Sequence, residues 1–298
     1  MADAPHFPAE EAARVVERAL EEDLGGLDGV DVTTEATIDP GAVADAVVVA
    51  RAAGVVAGLP IIEMVLTAVT EITQGGAVTI ELTTADGARV DPGTVLARLR
   101  GPVATILTGE RTLLNILSRV SGVATATGRW TAALDGTGVT VLDTRKTTPG
   151  LRALEKYAVR AGGGTNKRMG LFDVAMIKDN HKLAAGSVTA AYERVRERFP
   201  DVSIEVEVTT LAEAQEAIAA GARFIMCDNM TPAELAETVA AVRGGDEDVE
   251  IEATGGLTLE TVAAYAATGV DYLSVGGLTH SAPILDIALD LAEDAAAG

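Results

Sequence analysis

Six short apolar runs in the last two thirds of the chain each run into charged, hydroxyl or glycine residues. Asp143-Thr144-Arg145-Lys146-Thr147 follows the run 139–142, and Lys178-Asp179-Asn180-His181 follows 174–177. Glu205 and Glu207 lie within the third run, and Asp228-Asn229 closes the fourth. Thr254-Gly255-Gly256 and Gly276-Gly277 close the last two. The residue types sort by chemistry. Arg145, Lys146, Arg168 and Lys178 supply cations for carboxylates or phosphates, and arginine adds a planar fork that grips a carboxylate with two bonds. The paired glycines let backbone N–H groups approach a phosphate, with a helix N-terminus behind them. Glu207 and Asp228 are hard oxygen ligands suited to Mg²⁺, which bridges substrate phosphates while using few protein ligands. Together they describe a site for a doubly anionic organic acid, a phosphorylated sugar and a metal-chelated diphosphate.

Singly, each residue has a plainer reading. Arg145-Lys146 suits a solvated loop, Gly162-Gly163-Gly164 a flexible turn, and His181 a structural role. Glu207 and Asp228 suit ion pairs, the commoner fate of a carboxylate. Cys227 reads as a buried core thiol and Trp130 as helix packing. The functional reading rests on joint placement at strand ends, where α/β barrels carry their chemistry.

The elements that must position these residues follow from periodicity. Strands are expected over Val139–Leu142, Val174–Ile177, Ile204–Val208, Phe224–Met226, Glu250–Ala253 and Tyr272–Val275. Helices are expected over Val188–Arg198, Leu211–Ala220, Pro232–Arg243 and Leu259–Thr268. This alternation implies parallel strands joined by crossover helices. Six strands fall short of a full eight-unit barrel, and an open doubly wound sheet is the alternative. Upstream, Pro8–Leu24 reads as an amphipathic helix, and Val47–Val56, Ala77–Thr83 and Thr94–Leu99 as strands around a helix over Gly58–Val69. This first third is a separate strand-rich α+β unit. Glu110–Leu134 reads as a long helix broken near Gly122, and Pro283–Ala297 as a last helix packing back on the first unit. The boundaries are therefore an N-terminal domain over 1–109, a catalytic domain over 110–280 and a terminal helix over 281–298.

Composition limits the function classes. The chain has 298 residues, 48% of them hydrophobic and only 3% aromatic, so a large aliphatic core is available. Mean hydropathy is +0.26, and no apolar run reaches bilayer length. Met1–Glu10 lacks the basic and apolar stretches of a signal peptide. One cysteine, Cys227, rules out an internal disulfide, so a cytoplasmic location is expected. The net charge of −21 argues against a nucleic-acid partner. Lysine is scarce, and this acidic, lysine-poor balance points to a halophilic protein, because concentrated salt screens self-repulsion. All five lysines, Lys146, Lys156, Lys167, Lys178 and Lys182, fall between 139 and 182. That window holds nine Lys or Arg against four Asp or Glu, a net of +5. A basic island in so acidic a chain marks a concentrated anionic ligand.

The central block Asp143-Thr144-Arg145-Lys146-Thr147, Arg160 through Leu171 (RAGGGTNKRMGL) and Ile177-Lys178-Asp179-Asn180-His181 resembles the signature of quinolinate phosphoribosyltransferases. Glu110-Arg111-Thr112-Leu113-Leu114-Asn115, Glu22-Asp23, Asp31-Val32-Thr33-Thr34 and the tail Ser274 through His280 (SVGGLTH) resemble it too, so the likeness spans nearly the whole chain. It implies an incomplete α/β barrel beside an N-terminal sandwich-like domain, and a dimer-based assembly with shared active sites. It also implies an enzyme of NAD biosynthesis that uses Mg²⁺. The substrates would be quinolinate and phosphoribosyl pyrophosphate, and the products nicotinate mononucleotide, pyrophosphate and CO₂.

By the same resemblance, Arg111 of a neighbouring subunit, Arg145, Arg168 and Lys178 hold quinolinate, with Lys167 among the substrate-binding cations and Lys146, a catalytic residue, near the substrates' anionic groups. Glu207 and Asp228 serve the Mg²⁺ and ribose region, and Thr254, Gly255, Gly276 and His280 line the phosphate site. The family often has His where this chain has Lys167, and Ser where it has Thr254. Lys167 keeps a donor and a charge but loses a neutral acceptor. Three rivals stand beside this reading: a molybdenum-associated paralogue of the same fold, an aldolase using Lys178 as a Schiff-base lysine, and a non-catalytic pyridine-nucleotide binder.

Overall fold

The computed structural model describes residues 6–26, 28–245 and 248–292. In chain order the elements are α1 (Ala9–Leu24), α2 (Val32–Thr37), β1 (Val43–Ala50), β2 (Gly54–Val55), α3 (Pro60–Thr73), β3 (Thr79–Leu82), β4 (Arg89–Val90), β5 (Val95–Pro102) and α4 (Val103–Ala133). There follow β6 (Thr140–Leu142), α5 (Arg152–Ala161), β7 (Val174–Ile177), α6 (Asp179–Ala185), α7 (Val188–Arg198), β8 (Ser203–Val208), α8 (Leu211–Ala219) and β9 (Phe224–Asp228). The chain closes with α9 (Pro232–Arg243), β10 (Glu250–Thr254), α10 (Val262–Ala266), β11 (Tyr272–Ser274), α11 (Gly277–His280) and β12 (Ile287–Leu291). These elements form two compact units, one drawn from Met1–Gly128, Thr147–Gly163 and Thr279–Gly298, the other from Arg129–Lys146 and Gly164–Leu278.

The first unit is built on an antiparallel sheet of order β12-β1-β5-β3. The apolar stripe of α1 buries Ala12, Val16 and Leu20 and packs on α3, which opens with Pro60 and buries Ile61, Ile62, Val65, Leu66 and Val69. Two expectations are corrected here. The helix expected from Pro283 is strand β12, paired with β1 from Ala46↔Leu291 to Ala50↔Ile287. Its Ala and Leu favour helix, but propensity is a weak preference, and pairing along the edge of β1 overrides it. Residues 293–298 of that expected helix lie outside the described residues. Gly122 does not break α4, which runs unbroken for 31 residues. A side chain there would stand 2.2 Å from the Pro283 carbonyl oxygen, so this glycine lets the C-terminal strand approach rather than ending the helix. α4 starts at Val103, ahead of the helix start expected at Glu110.

Arg119 organises the first unit. Its guanidinium donates to Glu155 at 2.6 and 3.1 Å, to the Ala282 carbonyl at 2.9 Å and to the Thr279 carbonyl, tying α4 to α5 and to the segment before β12.

The second unit is a six-stranded parallel sheet of order β6-β11-β10-β9-β8-β7. The first strand of the series pairs with the last, and the circle stays open between β6 and β7. This is the incomplete α/β barrel, and the doubly wound alternative falls away. Ser187, Thr210 and Thr231 cap α7, α8 and α9 through their side-chain oxygens, which fixes where each helix begins. The core is aliphatic, with Ile225, Ile251 and Leu273 fully buried on adjacent strands. Among the described residues no helix is long and apolar enough to cross a membrane.

Candidate active site

A cavity of about 660 Å³ opens in the second unit. Strand alternation fills it: residues two apart share a face, so Glu205 and Glu207 on β8, Met226 and Asp228 on β9, and Glu252 and Thr254 on β10 all project to one side. Nine of the twelve residues expected at the site border this cavity: Arg145, Lys146, Lys167, Arg168, Lys178, Glu207, Asp228, Thr254 and Gly255. The lining does not include Arg111, Gly276 or His280. Arg111 projects from α4 with 66% of its side chain exposed and Glu110 3.7 Å away. His280 is exposed, with its Nδ1 2.6 Å from Ser281 Oγ.

Each cation has a distinct anchorage. Arg145 lines the wall with its Nε buried and without a hydrogen-bond partner in the protein. The Arg168 guanidinium donates to the Val174 carbonyl at 3.2 Å, and burial together with the neighbouring Arg145 pushes its pKa down. The Lys178 ammonium donates to the Glu207 carboxylate. Lys167 Nζ lies 2.5 Å from Glu252 Oε2 and 3.2 Å from Glu205 Oε2. Burial pushes the Glu205 carboxyl up, with Lys167 opposing the shift.

Neighbouring groups fix these positions. Lys182 donates to the Glu207 carbonyl at 3.1 Å and pairs with Asp179 at 2.7 Å and Glu213 at 3.0 Å. Burial alone would lower its pKa, but the two carboxylates outweigh it and hold it up. His181 Nδ1 accepts the Lys178 N–H at 3.0 Å, so this histidine caps α6, in line with its plainer reading. Cys227 is buried and its thiol is pushed up to about 12 by burial, as a core thiol should be.

The turn after β10 needs its glycines. Gly255 has φ +89° and Gly256 φ +62°, and a side chain on Gly255 would meet Asn229 Oδ1 at 2.4 Å. Asn229 itself takes the left-handed region, at φ 55°, and donates its N–H to the Thr254 carbonyl at 3.0 Å. The turn is therefore closely packed against Asn229 and leaves no room for a side chain at Gly255.

Glu252 was not among the expected site residues. Reasoning from strand ends passed over it, because it sits mid-strand. The spacing signal was present, since Glu252 stands two residues before Thr254 and shares its face. Ser274 lines the cavity as well, with its Oγ buried and unpartnered.

Comparison with known proteins places this geometry. Residues 31–121 match the N-terminal domain and residues 123–290 the C-terminal domain of quinolinate phosphoribosyl transferase. A nicotinate-nucleotide pyrophosphorylase [carboxylating] of Mycobacterium leprae is 45% identical over 285 residues, covering 94% of this chain and 98% of the relative. The protein of that name from Rattus norvegicus is 36% identical, covering 96% and 92%. The solved nicotinate-nucleotide pyrophosphorylase of Francisella tularensis superposes with a TM-score of 0.86 at 32% identity, covering 97% of this chain and 99% of that one.

Proposed function

The chain belongs to the quinolinate phosphoribosyltransferase family, and we propose that it joins quinolinate to phosphoribosyl pyrophosphate, releasing pyrophosphate and CO₂ and forming nicotinate mononucleotide. The observation that carries this reading is one cavity in which five cations, Arg145, Lys146, Lys167, Arg168 and Lys178, face three carboxylates, Glu207, Asp228 and Glu252. That balance accepts a dicarboxylate and a diphosphate together. Arg145, Arg168 and Lys178 hold the two carboxylates of quinolinate, and Arg111 of a second copy completes the grip in a homodimer. Lys146 stands near the anionic groups of both substrates. Thr254 and Gly255 receive the phosphate, joined by Gly276 and His280.

The ring nitrogen displaces pyrophosphate from the anomeric carbon through a state of oxocarbenium character. The nitrogen then carries a positive charge. When the bond from C2 to its carboxylate breaks and CO₂ leaves, the electron pair stays on C2 beside that charge, and C2 takes a proton. The cations serve throughout as a preorganised field that needs no reorientation during the reaction. No covalent enzyme intermediate is required.

Among the described residues no three metal-binding side chains come together. Two carboxylates, on adjacent strands β8 and β9, are nonetheless a sufficient protein share for Mg²⁺, which keeps water and substrate oxygens for its remaining positions. Glu207 and Asp228 would hold it, and bound there it would neutralise charge on the departing diphosphate. EDTA is expected to abolish formation of nicotinate mononucleotide, and added Mg²⁺ to restore it. Asp228→Ala should lower kcat by on the order of a hundredfold, the loss of about 2.7 kcal/mol of charge stabilisation, without lowering the melting temperature. Full turnover in metal-free buffer contradicts the metal role. Tight nucleotide binding with no turnover would favour a non-catalytic binder instead.

A further inference from the structure

Lys167 enters the barrel from a segment that is not one of the six strands. Thr165 bridges to Leu142 in the parallel sense, its N–H donating to the Val141 carbonyl at 3.0 Å and its carbonyl accepting the Asp143 N–H at 3.2 Å. The fully buried Asp143 carboxylate then accepts the Asn166 side-chain amide at 2.7 Å and the Lys167 N–H at 2.8 Å. Residues 165–167 therefore run beside β6, on the flank where the sheet order is open. From there the Lys167 side chain crosses the interior to β8 and β10. Its Nζ sits 3.2 Å from Glu205 Oε2, 2.5 Å from Glu252 Oε2, 3.2 Å from Met226 Sδ and 5.4 Å from the centre of the Phe224 ring. The exposures of the three charged side chains are 6% for Lys167, 9% for Glu205 and 0% for Glu252.

An ammonium so removed from water requires its counter-ions, and two carboxylates this close require the ammonium between them. Lys167 is therefore already neutralised before any substrate arrives. The next residue, Arg168, borders the same cavity, held by the Val174 carbonyl. Whatever fixes residues 165–167 fixes the origin of the Arg168 side chain. We propose that Lys167 and Glu252 are positioning residues. They form an internal ion-pair strut from the open flank of the barrel to β10 and β8, and through it the Arg168 guanidinium is set for a carboxylate of the substrate. Lys167 then acts on quinolinate through Arg168 and does not grip it directly. This inference rests on the reading of the cavity as a quinolinate site.

The decisive variant is Glu252→Gln, which removes one counter-ion and leaves Lys167 paired with Glu205. The strut predicts a quinolinate KM raised about tenfold, with kcat and the KM for phosphoribosyl pyrophosphate changed by less than about threefold. Lys167→Gln should match it, and the double variant should be no worse than the weaker single one, because both changes cut the same link. Lys167→Arg, which keeps a cation within reach of both carboxylates, should restore the KM to within about threefold of the parent protein. A direct grip predicts the opposite. Glu252→Gln would free the ammonium and leave the quinolinate KM unchanged or lower, while Lys167→Gln would weaken binding equally in both backgrounds. That pattern overturns the strut. Should Glu252→Gln fail to fold, Glu205→Gln removes the more distant carboxylate and is read by the same signs. Turnover of quinolinate by the parent protein is checked first. Its absence would refute the function, whereas its presence with an unmoved KM in Glu252→Gln refutes the strut alone.

Discussion

Arg111→Ala and Arg145→Ala are each expected to be inactive as homogeneous proteins and to regain activity when unfolded and refolded together. The two arginines sit in contrasting settings. Arg145 lines the cavity with its Nε buried and unpartnered, as a cation awaiting an anion would be. Arg111 projects from α4 with 66% of its side chain exposed, and Glu110, its adjacent residue, is the partner at 3.7 Å. An exposed pair of that kind contributes little to stability. Two turns further along the same helix, Arg119 shows what a structural arginine looks like here, 20% exposed and bonded to Glu155 and two carbonyls. Arg111 is exposed, as the proposed role toward a second copy requires. In a random mixture of the proposed homodimer, half the dimers pair one variant with the other, and each such dimer holds one site with both arginines intact. By dimer symmetry, up to about a quarter of all sites should recover. If Arg111 serves its own subunit, every site lacks one arginine. No recovery, with subunit exchange shown by mass-labelled copies, would leave Arg111 a local surface residue.

The second large effect concerns substrate choice. Quinolinate is expected to exceed nicotinate in kcat/KM by a factor on the order of thirty to several thousand. Removing one carboxylate from the ligand leaves at least one cation of the Arg145, Arg168 and Lys178 group without its counter-ion in a partly buried cavity. An unpaired buried charge of this kind costs about 2–5 kcal/mol, which sets that range. The comparison needs only initial rates at several concentrations of each acid. Equal turnover of the two would mean that the cavity does not count carboxylates, and the assignment of these cations would fail.

Much of this was legible in the sequence, for identifiable reasons. The strand-helix alternation after residue 139 gave the parallel sheet, because a buried parallel strand is a short apolar run that stops abruptly at its polar end. The strand ends led to Arg145, Lys178 and Asp228 for the same reason. What stayed hidden depended on long-range partners. Ile287–Leu291 carries helix-forming residues, and only the free edge of β1 makes it a strand. Gly122 looked like a helix break, because nothing local announces the Pro283 carbonyl that needs the space. Glu252 looked like an ordinary strand residue, since its partner Lys167 lies 85 positions away.

The most direct measurement follows the two carboxylates of quinolinate separately, with purified protein, phosphoribosyl pyrophosphate and Mg²⁺. Label in the 2-carboxylate should appear as CO₂, one for each nicotinate mononucleotide formed, and only when phosphoribosyl pyrophosphate is present. Label in the 3-carboxylate should remain in the nucleotide. CO₂ released without phosphoribosyl pyrophosphate, or a nucleotide that keeps both carboxylates, would contradict the account, because the charged ring nitrogen created by ribosylation is what allows the 2-carboxylate to leave.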